Sequence, residues 1–421
     1  MGEQQSQAWA ERTLRTESGG RVRRPRGTGR VDGGIGGGEL DVGYVRPRPG
    51  DGTPIVLVPG GPGLCSVLPY RGLRRRAARR GLDVIMMEHR GVGLSRRDTT
   101  GADLAVGDVT VAAAADDLAA VLDAVGVDRA VLYGTSYGTH LVEVFGTRHP
   151  DRVAAMVLDS PMLSAAGDVA VVREHRRALL HRSTGRAAVL FRELLDADPV
   201  SATEAGHVVQ VVYEFAGPQV LERLLTARLD GRGLRTWRQV AALGAGEVSG
   251  SGRRFVVEPD LVAGIMHGEL GYGDAPDGLP LDPQAMFAPH AGSAPPFAGD
   301  TVDMVAALPR FTWPTAVVSG DRDLRTPRPI AERVVDLVPD SVLVPLPDLG
   351  HSALDTHQLA ALNVAHVVAR GGLAQLPGLA PRIADLPRKG ASGVLGRLIA
   401  GGLALDLALP GGRDAQPRSR A

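Results

Sequence analysis

Residues 130–145 read AVLYGTSYGTHLVEVF, and this stretch decides the fold. The apolar run Ala130–Tyr133 is typical of a buried strand, and the apolar spacing of Leu141–Phe145 is typical of a helix. Between them, residues 134–138 fit the pattern G-x-S-x-G. A serine on a tight turn between a strand and a helix needs small neighbours two residues to either side, and the turn exposes its hydroxyl. The spacing therefore predicts Ser136 as a nucleophile just beyond a strand end.

Similar apolar runs recur along the chain, each followed by glycine or polar residues. The further runs that predict strands are an alternating one from Leu40 to Tyr44 and the continuous runs Ile55–Val58, Val84–Met87, Val153–Leu158, Thr315–Val318 and Ser341–Val344. Stretches with the apolar spacing of helices accompany them, namely Val111–Val125, Pro327–Leu337 and His357–Arg370. Continuous apolar strands separated by helices predict an α/β fold, in which helices cover both faces of a mostly parallel sheet.

The same pattern divides the chain into regions. Residues 1–38 are rich in arginine and glycine without periodicity, which predicts a disordered leader. Residues 39–160 and 309–372 carry the alternation of strands and helices that is typical of an α/β core. Between them, residues 161–308 show helical patterns and then a Pro/Gly-rich passage. They predict an inserted helical lid over the carboxyl edge of the sheet, where ligands bind in such folds. We expect residues 373–421 to form a helical or irregular C-terminal tail.

The composition argues against several classes of protein. Hydrophobic residues make up 44% and charged residues 22%, the balance of a globular protein. Lys+Arg and Asp+Glu both number 47, so no net charge favours nucleic acid or a membrane, and we expect neither partner. The single cysteine, Cys65, excludes a disulfide framework and a thiolate zinc site, and we expect no metal and no cofactor. The first twenty residues lack the apolar core of a secretory signal, so we expect a cytoplasmic protein.

A serine hydroxyl needs a base and an orienting carboxylate to become a nucleophile. For a serine on this kind of turn, the order along the chain is serine, acid, histidine. His351 follows the last predicted strand directly after a glycine, which is the position expected of the base. Asp321 and Asp323 follow the strand before it. We choose Asp323 because the first residues after the strand make the turn, while the third can reach back towards the histidine. Asp159, which follows another strand, is the alternative acid.

Acyl transfer also needs hydrogen-bond donors for the oxyanion, each worth about 3–4 kcal/mol. Residues 59–63 read PGGPG and follow a strand that we expect beside the nucleophile strand. Glycine lets the backbone approach a substrate closely, so the N–H of Gly61 is one predicted donor, preferred over that of Gly60. The N–H of Tyr137, directly after Ser136, is the other. A plain tight turn is the alternative interpretation of PGGPG.

Four segments resemble motifs of the α/β-hydrolase superfamily and, within it, of the prolyl aminopeptidase and tripeptidyl aminopeptidase group. They are residues 59–63, similar to H-G-G-P-G; residues 88–95 (EHRGVGLS), similar to D-Q-R-G-x-G-x-S; residues 134–141, similar to G-x-S-Y-G-T-x-L; and the acid and base loops at 320–327 and 350–351. The resemblance covers roughly residues 40–370 and implies the α/β-hydrolase fold. It assigns the roles of nucleophile, acid and base to Ser136, Asp323 and His351, and the oxyanion hole to Gly61 and Tyr137.

The chain departs from the motifs of that group near the oxyanion loop. Pro59 stands in place of histidine, and Glu88-His89 stands in place of Asp-Gln. The resemblance also implies that carboxylates of the lid hold the ammonium group of the substrate, because a buried cation needs a paired charge. The candidate lid carboxylates are Glu174, Glu193, Glu214, Glu222 and Glu269. We favour Glu269 as a substrate-binding residue because it lies in an apolar stretch, residues 264–272.

Together these residues predict a serine hydrolase that cleaves an amide or ester of a small molecule or short peptide through an acyl-enzyme. The resemblance favours an aminopeptidase for small N-terminal residues. A carboxylesterase or lactonase with the same triad is the alternative. A non-catalytic binding protein on this fold is a third hypothesis, which the complete triad disfavours. The pattern makes no prediction of the oligomeric state.

Overall fold

The strands of the chain form one large sheet and one small sheet in a computed structural model. The structure describes residues 2–27, 30–31, 34–35, 38–50, 52–197, 200–244, 252–292, 294–389 and 392–408. The strands in these residues are β1 (Gly20–Pro25), β2 (Arg30–Val31), β3 (Gly34–Ile35), β4 (Glu39–Val45), β5 (Ile55–Val58), β6 (Val84–Met87), β7 (Ala130–Thr135), β8 (Val153–Asp159), β9 (Thr315–Gly320) and β10 (Ser341–Leu346). Eight of them form one sheet in the order β1-β4-β6-β5-β7-β8-β9-β10, and β2 pairs with β3.

The large sheet is mostly parallel, which confirms the predicted fold class. The strands from β5 to β10 pair in parallel, whereas β1 and β4 run antiparallel to their neighbours. All four residues of β5 are buried. Val56 and Val58 pack into one apolar cluster, and Ile55 and Leu57 pack into another. Because both faces of the strand are covered, the strand is apolar throughout.

Helices cover both faces of this sheet. The α-helices of the described residues are α1 (Glu3–Thr16), α2 (Arg71–Arg79), α3 (Val111–Ala124), α4 (Tyr137–Arg148), α5 (Ala165–Arg177), α6 (Arg186–Ala197), α7 (Ala202–Ala216), α8 (Pro218–Leu229), α9 (Leu234–Ala241), α10 (Met304–Ala307), α11 (Arg328–Leu337), α12 (Ala353–Thr356), α13 (Gln358–Ala369), α14 (Leu376–Ala384) and α15 (Leu395–Ala408). Residues of α3, α4 and α11 belong to one of the two apolar clusters, and residues of α2, α13 and α14 belong to the other.

The register of the parallel strands aligns the loops that carry the predicted site residues. Thr135, the last residue of β7, pairs with Asp159, the last residue of β8. The last residues of β9 and β10 also pair with each other. Because parallel strands end at the same edge of a sheet, the loops with Ser136, Asp323 and His351 lie along one edge.

The prediction of a disordered leader is wrong for part of residues 1–38. The helix α1 buries Ala10 and Leu14 in the core, and β1 extends the sheet by pairing with β4. Between them, Glu17 accepts a hydrogen bond of 2.6 Å from Nε of the buried Arg74. The sequence signal is weak because β1 is an edge strand, in which every residue is at least partly exposed. The prediction for residues 1, 28–29, 32–33 and 36–37 lies outside the described residues.

The helices α5 to α9 lie in residues 161–308, which we call the helical segment. A third apolar cluster joins α6 to α9 and includes Phe191 and Trp237. Two of these helices, α7 and α8, are separated by a single residue. The chain breaks at Gly217, which has a φ of 88°, and α8 begins at the following proline. That this segment acts as a lid stays a prediction.

The C-terminal tail contains α14 and α15. Ile399 and Leu403 of α15 are buried in the apolar cluster of the helical segment, so this helix packs on that segment. The prediction for residues 390–391 and 409–421 lies outside the described residues. Across the described ranges, no helix combines the length and the apolar character needed to cross a bilayer.

Candidate active site

Ser136 lies on a strained turn between β7 and α4. Its backbone has a φ of 53° and a ψ of −126°, which is costly for a residue other than glycine. Its N–H donates a 2.9 Å hydrogen bond to the carbonyl of Asp159, at the end of the neighbouring strand. A Cβ at Gly134 would collide with the backbone of Gly138, and a Cβ at Gly138 would collide with that of Val58. Close backbone approach therefore explains both glycines of the G-x-S-x-G pattern.

His351 and Asp323 form a hydrogen-bonded pair at the same edge of the sheet. Nδ1 of His351 lies 3.1 Å and 3.0 Å from the two carboxylate oxygens of Asp323. Asp323 is 1% exposed, and it accepts hydrogen bonds of 2.9 Å from the backbone N–H groups of Arg325 and Thr326. These charge-assisted bonds hold the carboxylate in one orientation against the imidazole.

The two alternative acids have other partners. Asp321 is exposed and pairs with Arg328. Asp159 is buried and accepts hydrogen bonds of 3.0 Å and 2.9 Å from two backbone N–H groups at the start of α12. Asp159 thus holds the segment that follows His351, while Asp323 holds the ring itself.

The electrostatics of the pair favour an ionised carboxylate beside a basic histidine. Burial acts to raise the pKa of Asp323, but the positive charge and hydrogen bond of His351 lower that pKa overall. Burial acts to lower the pKa of His351, but the charge of Asp323 outweighs it and raises that pKa above its usual value. Glu214 adds a smaller contribution in the same direction. Asp323 therefore makes the imidazole of His351 a stronger base than a free histidine.

Ser136 and His351 line the same cavity, which has a volume of about 350 Å³. Gly60 and Gly61 of the loop after β5 also line it, together with residues of α5 and α7. Asp323 lies behind His351 rather than on the wall. The structure thus brings the predicted nucleophile, base and oxyanion loop around one space, whose size suits a small molecule or a short peptide.

Of the two predicted oxyanion donors, Tyr137 directly follows Ser136, and Gly61 lines the same cavity as the serine. Gly61 has a φ of 120°, a conformation that favours glycine. A Cβ on Gly60 would lie only 3.1 Å from the Cβ of Ser136, so the backbone of this loop lies against the serine. Tyr137 is the first residue of α4, and its N–H therefore has no acceptor within the helix.

Glu88 and His89, which depart from the related motif, fasten the segments around the cavity. The buried carboxylate of Glu88 accepts hydrogen bonds from the N–H groups of Ser66 at 2.5 Å and Val67 at 2.9 Å, just after the oxyanion loop. Burial raises the pKa of Glu88 to about 7. Nε2 of His89 lies 2.9 Å from the hydroxyl oxygen of Tyr137. Glu88 thus contacts the segment that follows the loop of Gly61, and His89 contacts Tyr137, the two places where oxyanion donors are predicted.

Glu269, the predicted substrate-binding residue, is not among the described residues that line the cavity. Its carboxylate accepts a hydrogen bond of 3.1 Å from the N–H of Val111, the first residue of α3. A carboxylate at that position satisfies a free N–H group and the helix dipole. The structure thus gives Glu269 the place of a helix cap, and the expected contact with a substrate ammonium has no support from it.

Other residues of the helical segment, which the sequence did not single out for these contacts, line the cavity or hold the acid loop. Asp168 and Arg176 of α5 line the cavity. Nε of Arg176 donates a 2.6 Å hydrogen bond to the carbonyl of Leu324, and Glu214 of α7 accepts one of 3.0 Å from the N–H of Leu324. Both groups therefore hold the residue next to Asp323. No sequence signal points to these contacts, because helical spacing does not say which helix face meets a cavity.

Comparison with known proteins identifies the family to which this fold belongs. Residues 53–198 match a family model described as the alpha/beta hydrolase fold. The "Putative carbamate hydrolase RutD" of Azorhizobium caulinodans is 31% identical over 204 residues, which are 47% of this chain and 72% of that protein. The chain belongs to the α/β-hydrolase family.

Two further relatives of this α/β hydrolase are proline iminopeptidases, another name for prolyl aminopeptidases. The "Probable proline iminopeptidase" of Leptolyngbya boryana is 23% identical over 320 residues, which cover 74% of this chain and 85% of that protein. The crystal structure of the proline iminopeptidase of Mycobacterium smegmatis shares the fold with a TM-score of 0.51 at 19% identity, over 84% of this chain and 99% of that one. This α/β hydrolase therefore resembles the prolyl aminopeptidases.

Proposed function

We propose that this α/β hydrolase is a serine hydrolase that works through an acyl-enzyme, and that it is an aminopeptidase acting on short peptides. One observation carries the proposal. Ser136, on a strained turn, and His351, bonded through Nδ1 to a buried Asp323, open onto one cavity. A hydroxyl, an imidazole and a carboxylate in this relation are the parts that activate a serine.

The first half of the reaction begins at the serine. With Nδ1–H of His351 directed at Asp323, Nε2 is the nitrogen left to take the proton from Oγ of Ser136. Oγ attacks the substrate carbonyl carbon, and the carbonyl oxygen gains the negative charge. The N–H groups of Gly61 and Tyr137 donate hydrogen bonds to that oxygen, each worth about 3–4 kcal/mol in the transition state.

The second half releases the products. His351 gives its proton from Nε2 to the leaving amine, and the bond between the carbonyl carbon and that nitrogen breaks. A water molecule then loses a proton to Nε2 and attacks the acyl-enzyme. The carboxylic acid product leaves, and Oγ of Ser136 takes the proton back.

Asp168 is the group that we propose for binding the amino terminus, in place of Glu269. It lies on the cavity wall and accepts a hydrogen bond of 2.8 Å from the N–H of Leu163. Burial raises the pKa of Asp168 to about 7. A bound ammonium would supply an opposite charge in contact with this carboxylate, and ionised Asp168 would hold the first residue of the peptide in place.

The test compares the wild type with Ser136→Ala. We expect a fluorophosphonate probe to label the wild type and leave the variant unlabelled. We then expect the wild type to hydrolyse a proline arylamide. Hydrolysis of a short p-nitrophenyl ester without arylamide turnover would instead identify a carboxylesterase or lactonase. An unlabelled and inactive wild type would contradict the serine hydrolase and favour a binding protein.

A further inference from the structure

Arg176 is a buried arginine on the cavity wall that forms no ion pair with a carboxylate of the residues that the structure describes. It is 6% exposed, and its Nε–H donates a hydrogen bond to the carbonyl of Leu324. A guanidinium has five N–H donors, so four remain. Among the described residues, no carboxylate oxygen forms an ion pair or hydrogen bond with these four. Burial lowers the pKa of Arg176 to about 10, so the side chain still carries its charge at neutral pH.

The neighbouring arginines are paired. Arg173, one turn earlier on α5, places Nε 3.0 Å from the carboxylate of Asp282. Arg325, also on the cavity wall, places Nε 3.4 Å from the carboxylate of Glu214. A buried charge is costly unless an opposite charge accompanies it. Arg176 differs from these two arginines because no ion pair joins it to a carboxylate within the described residues, although the charge of Glu214 acts to raise its pKa. Its free N–H groups can therefore bind an anionic ligand in the cavity.

The placement of Arg176 along α5 relates it to the proposed amine site. Asp168, Val172 and Arg176 follow one another at intervals of four residues, and all three line the cavity. Eight residues correspond to about 12 Å along a helix axis, and an extended tripeptide spans about 10 Å. The rise along α5 from Asp168 to Arg176 is thus close to the span of a short peptide, and both residues line the cavity.

We propose that Arg176 binds the C-terminal carboxylate of the substrate, so that the enzyme prefers peptides of two or three residues with a free carboxyl end. A guanidinium forms two parallel hydrogen bonds with a carboxylate, which gives both affinity and orientation. The inference rests on the proposed function, since Asp168 holds the amino end and Ser136 attacks the bond between the two ends. The enzyme would therefore prefer substrates whose leaving amine carries a free carboxylate.

The decisive experiment compares prolyl-alanyl-alanine with its C-terminal amide. We expect the wild type to cleave the acid with a kcat/KM about 10- to 100-fold higher than that for the amide, the range expected for a hydrogen-bonded charge pair. In Arg176→Gln, the value for the acid should fall to that for the amide. In Arg176→Lys, which keeps the charge, part of the preference should remain. Free proline, quantified by chromatography, gives the rates.

A matched control separates recognition from structure. Arg177→Gln changes the next residue of α5, which pairs with Asp277 at 2.7 Å and lies off the cavity wall, and it should keep the full preference. Equal kcat/KM values for acid and amide in the wild type would overturn the inference. An equal loss on both substrates in Arg176→Gln would also overturn it, because the residue would then act only through Leu324.

Labelling by the fluorophosphonate distinguishes failure of this inference from failure of the proposed function. If the wild type is labelled but the acid and the amide slow labelling equally, the carboxylate site is wrong and the serine hydrolase stands. If the acid slows labelling more than the amide, and Arg176→Gln removes the difference, the site is supported even where the peptide is not cleaved. If the wild type is not labelled, both proposals fail.

Discussion

Two regions supply charged groups to the candidate site, the loops at the carboxyl edge of the sheet and the helical segment of residues 161–308. The sequence predicted the positions of these groups better in the loops than in the helical segment. In the loops, the acid chosen from its place after a strand, Asp323, bonds to His351. In the helical segment, five glutamates were candidates for the cavity wall. The carboxylates of that segment that line the cavity, among the described residues, are Asp168 and Asp282 instead.

The difference teaches how each kind of element positions a side chain. A parallel strand delivers the residue after it to a known edge, because hydrogen bonds set its register with its neighbours. A helix delivers a residue to a face that depends on how the helix is rotated and packed. Glu214 and Glu269 illustrate this. The first accepts a hydrogen bond from the N–H of Leu324 and the second from the N–H of Val111, and no helical pattern in the sequence identifies either contact.

The largest expected effect tests the loops. Asp323→Asn should lower kcat by about 10⁴-fold, because the neutral amide no longer holds the histidine in the productive tautomer. Asp321→Asn, in the same loop but exposed and paired with Arg328, should leave kcat close to that of the wild type. The measurement is kcat on an activated ester. Equal losses in the two variants would contradict the assignment of the acid.

The next effect tests the helical segment. Asp168→Asn should raise KM for a peptide substrate by about 10- to 100-fold, because the ammonium loses its charged partner. Glu269→Gln should leave KM unchanged, since an amide oxygen can still accept the hydrogen bond from Val111. Steady-state kinetics on a proline arylamide measure both. A larger KM in Glu269→Gln than in Asp168→Asn would restore the original choice of Glu269.

A smaller effect tests the influence of Glu214, in the helical segment, on the pKa of His351, in a loop. The charge of Glu214, on α7, helps to raise the pKa of His351, so Glu214→Gln should lower that pKa. The enzyme needs the imidazole neutral as a base, and the acidic limb of its kcat/KM profile should therefore move to lower pH. The control is Glu222→Gln, on the neighbouring α8. It should leave the acidic limb of the kcat/KM profile at the same pH as in the wild type. An unchanged profile in Glu214→Gln would show that α7 does not influence the base.

The smallest effect concerns the carboxylate of Glu143, on α4. It is fully buried, and within the described residues its two oxygens have no hydrogen-bond partner. Burial raises the pKa of Glu143 well above its usual value. Glu143→Met should raise the free energy of unfolding by about 1–3 kcal/mol, because an unsatisfied buried group is removed.

The sign of the pH dependence follows from that shift. A carboxyl with a raised pKa in the folded state binds its proton more tightly there, so wild-type stability falls as pH rises above the pKa of the unfolded chain. The advantage of Glu143→Met should therefore grow between pH 5 and pH 8, as measured by denaturant unfolding. A variant less stable than the wild type at pH 8 would show that Glu143 has a favourable role in the core.

Much of the fold could be predicted from the sequence alone. Each continuous apolar run is a strand whose bounds lie within two residues of the prediction, because burial on both faces demands an unbroken apolar run. The leader was the exception. Glu17 and Arg74 are far apart in the chain and polar, and only the folded molecule shows that their ion pair fastens α1 and β1 to the core.

The candidate site, like the fold, could be predicted from the sequence only in part. The sequence by itself predicted the serine turn, the oxyanion loop and the order of acid and base, since each prediction depends on a short motif at the end of a strand. Only the tertiary structure shows that His351 bonds to Asp323 while Asp159 bonds to backbone N–H groups, and only it places Asp168 and Arg176 on the cavity wall. Which helix faces meet across a cavity is settled by the packing of the whole chain, and no local pattern of residues contains that information.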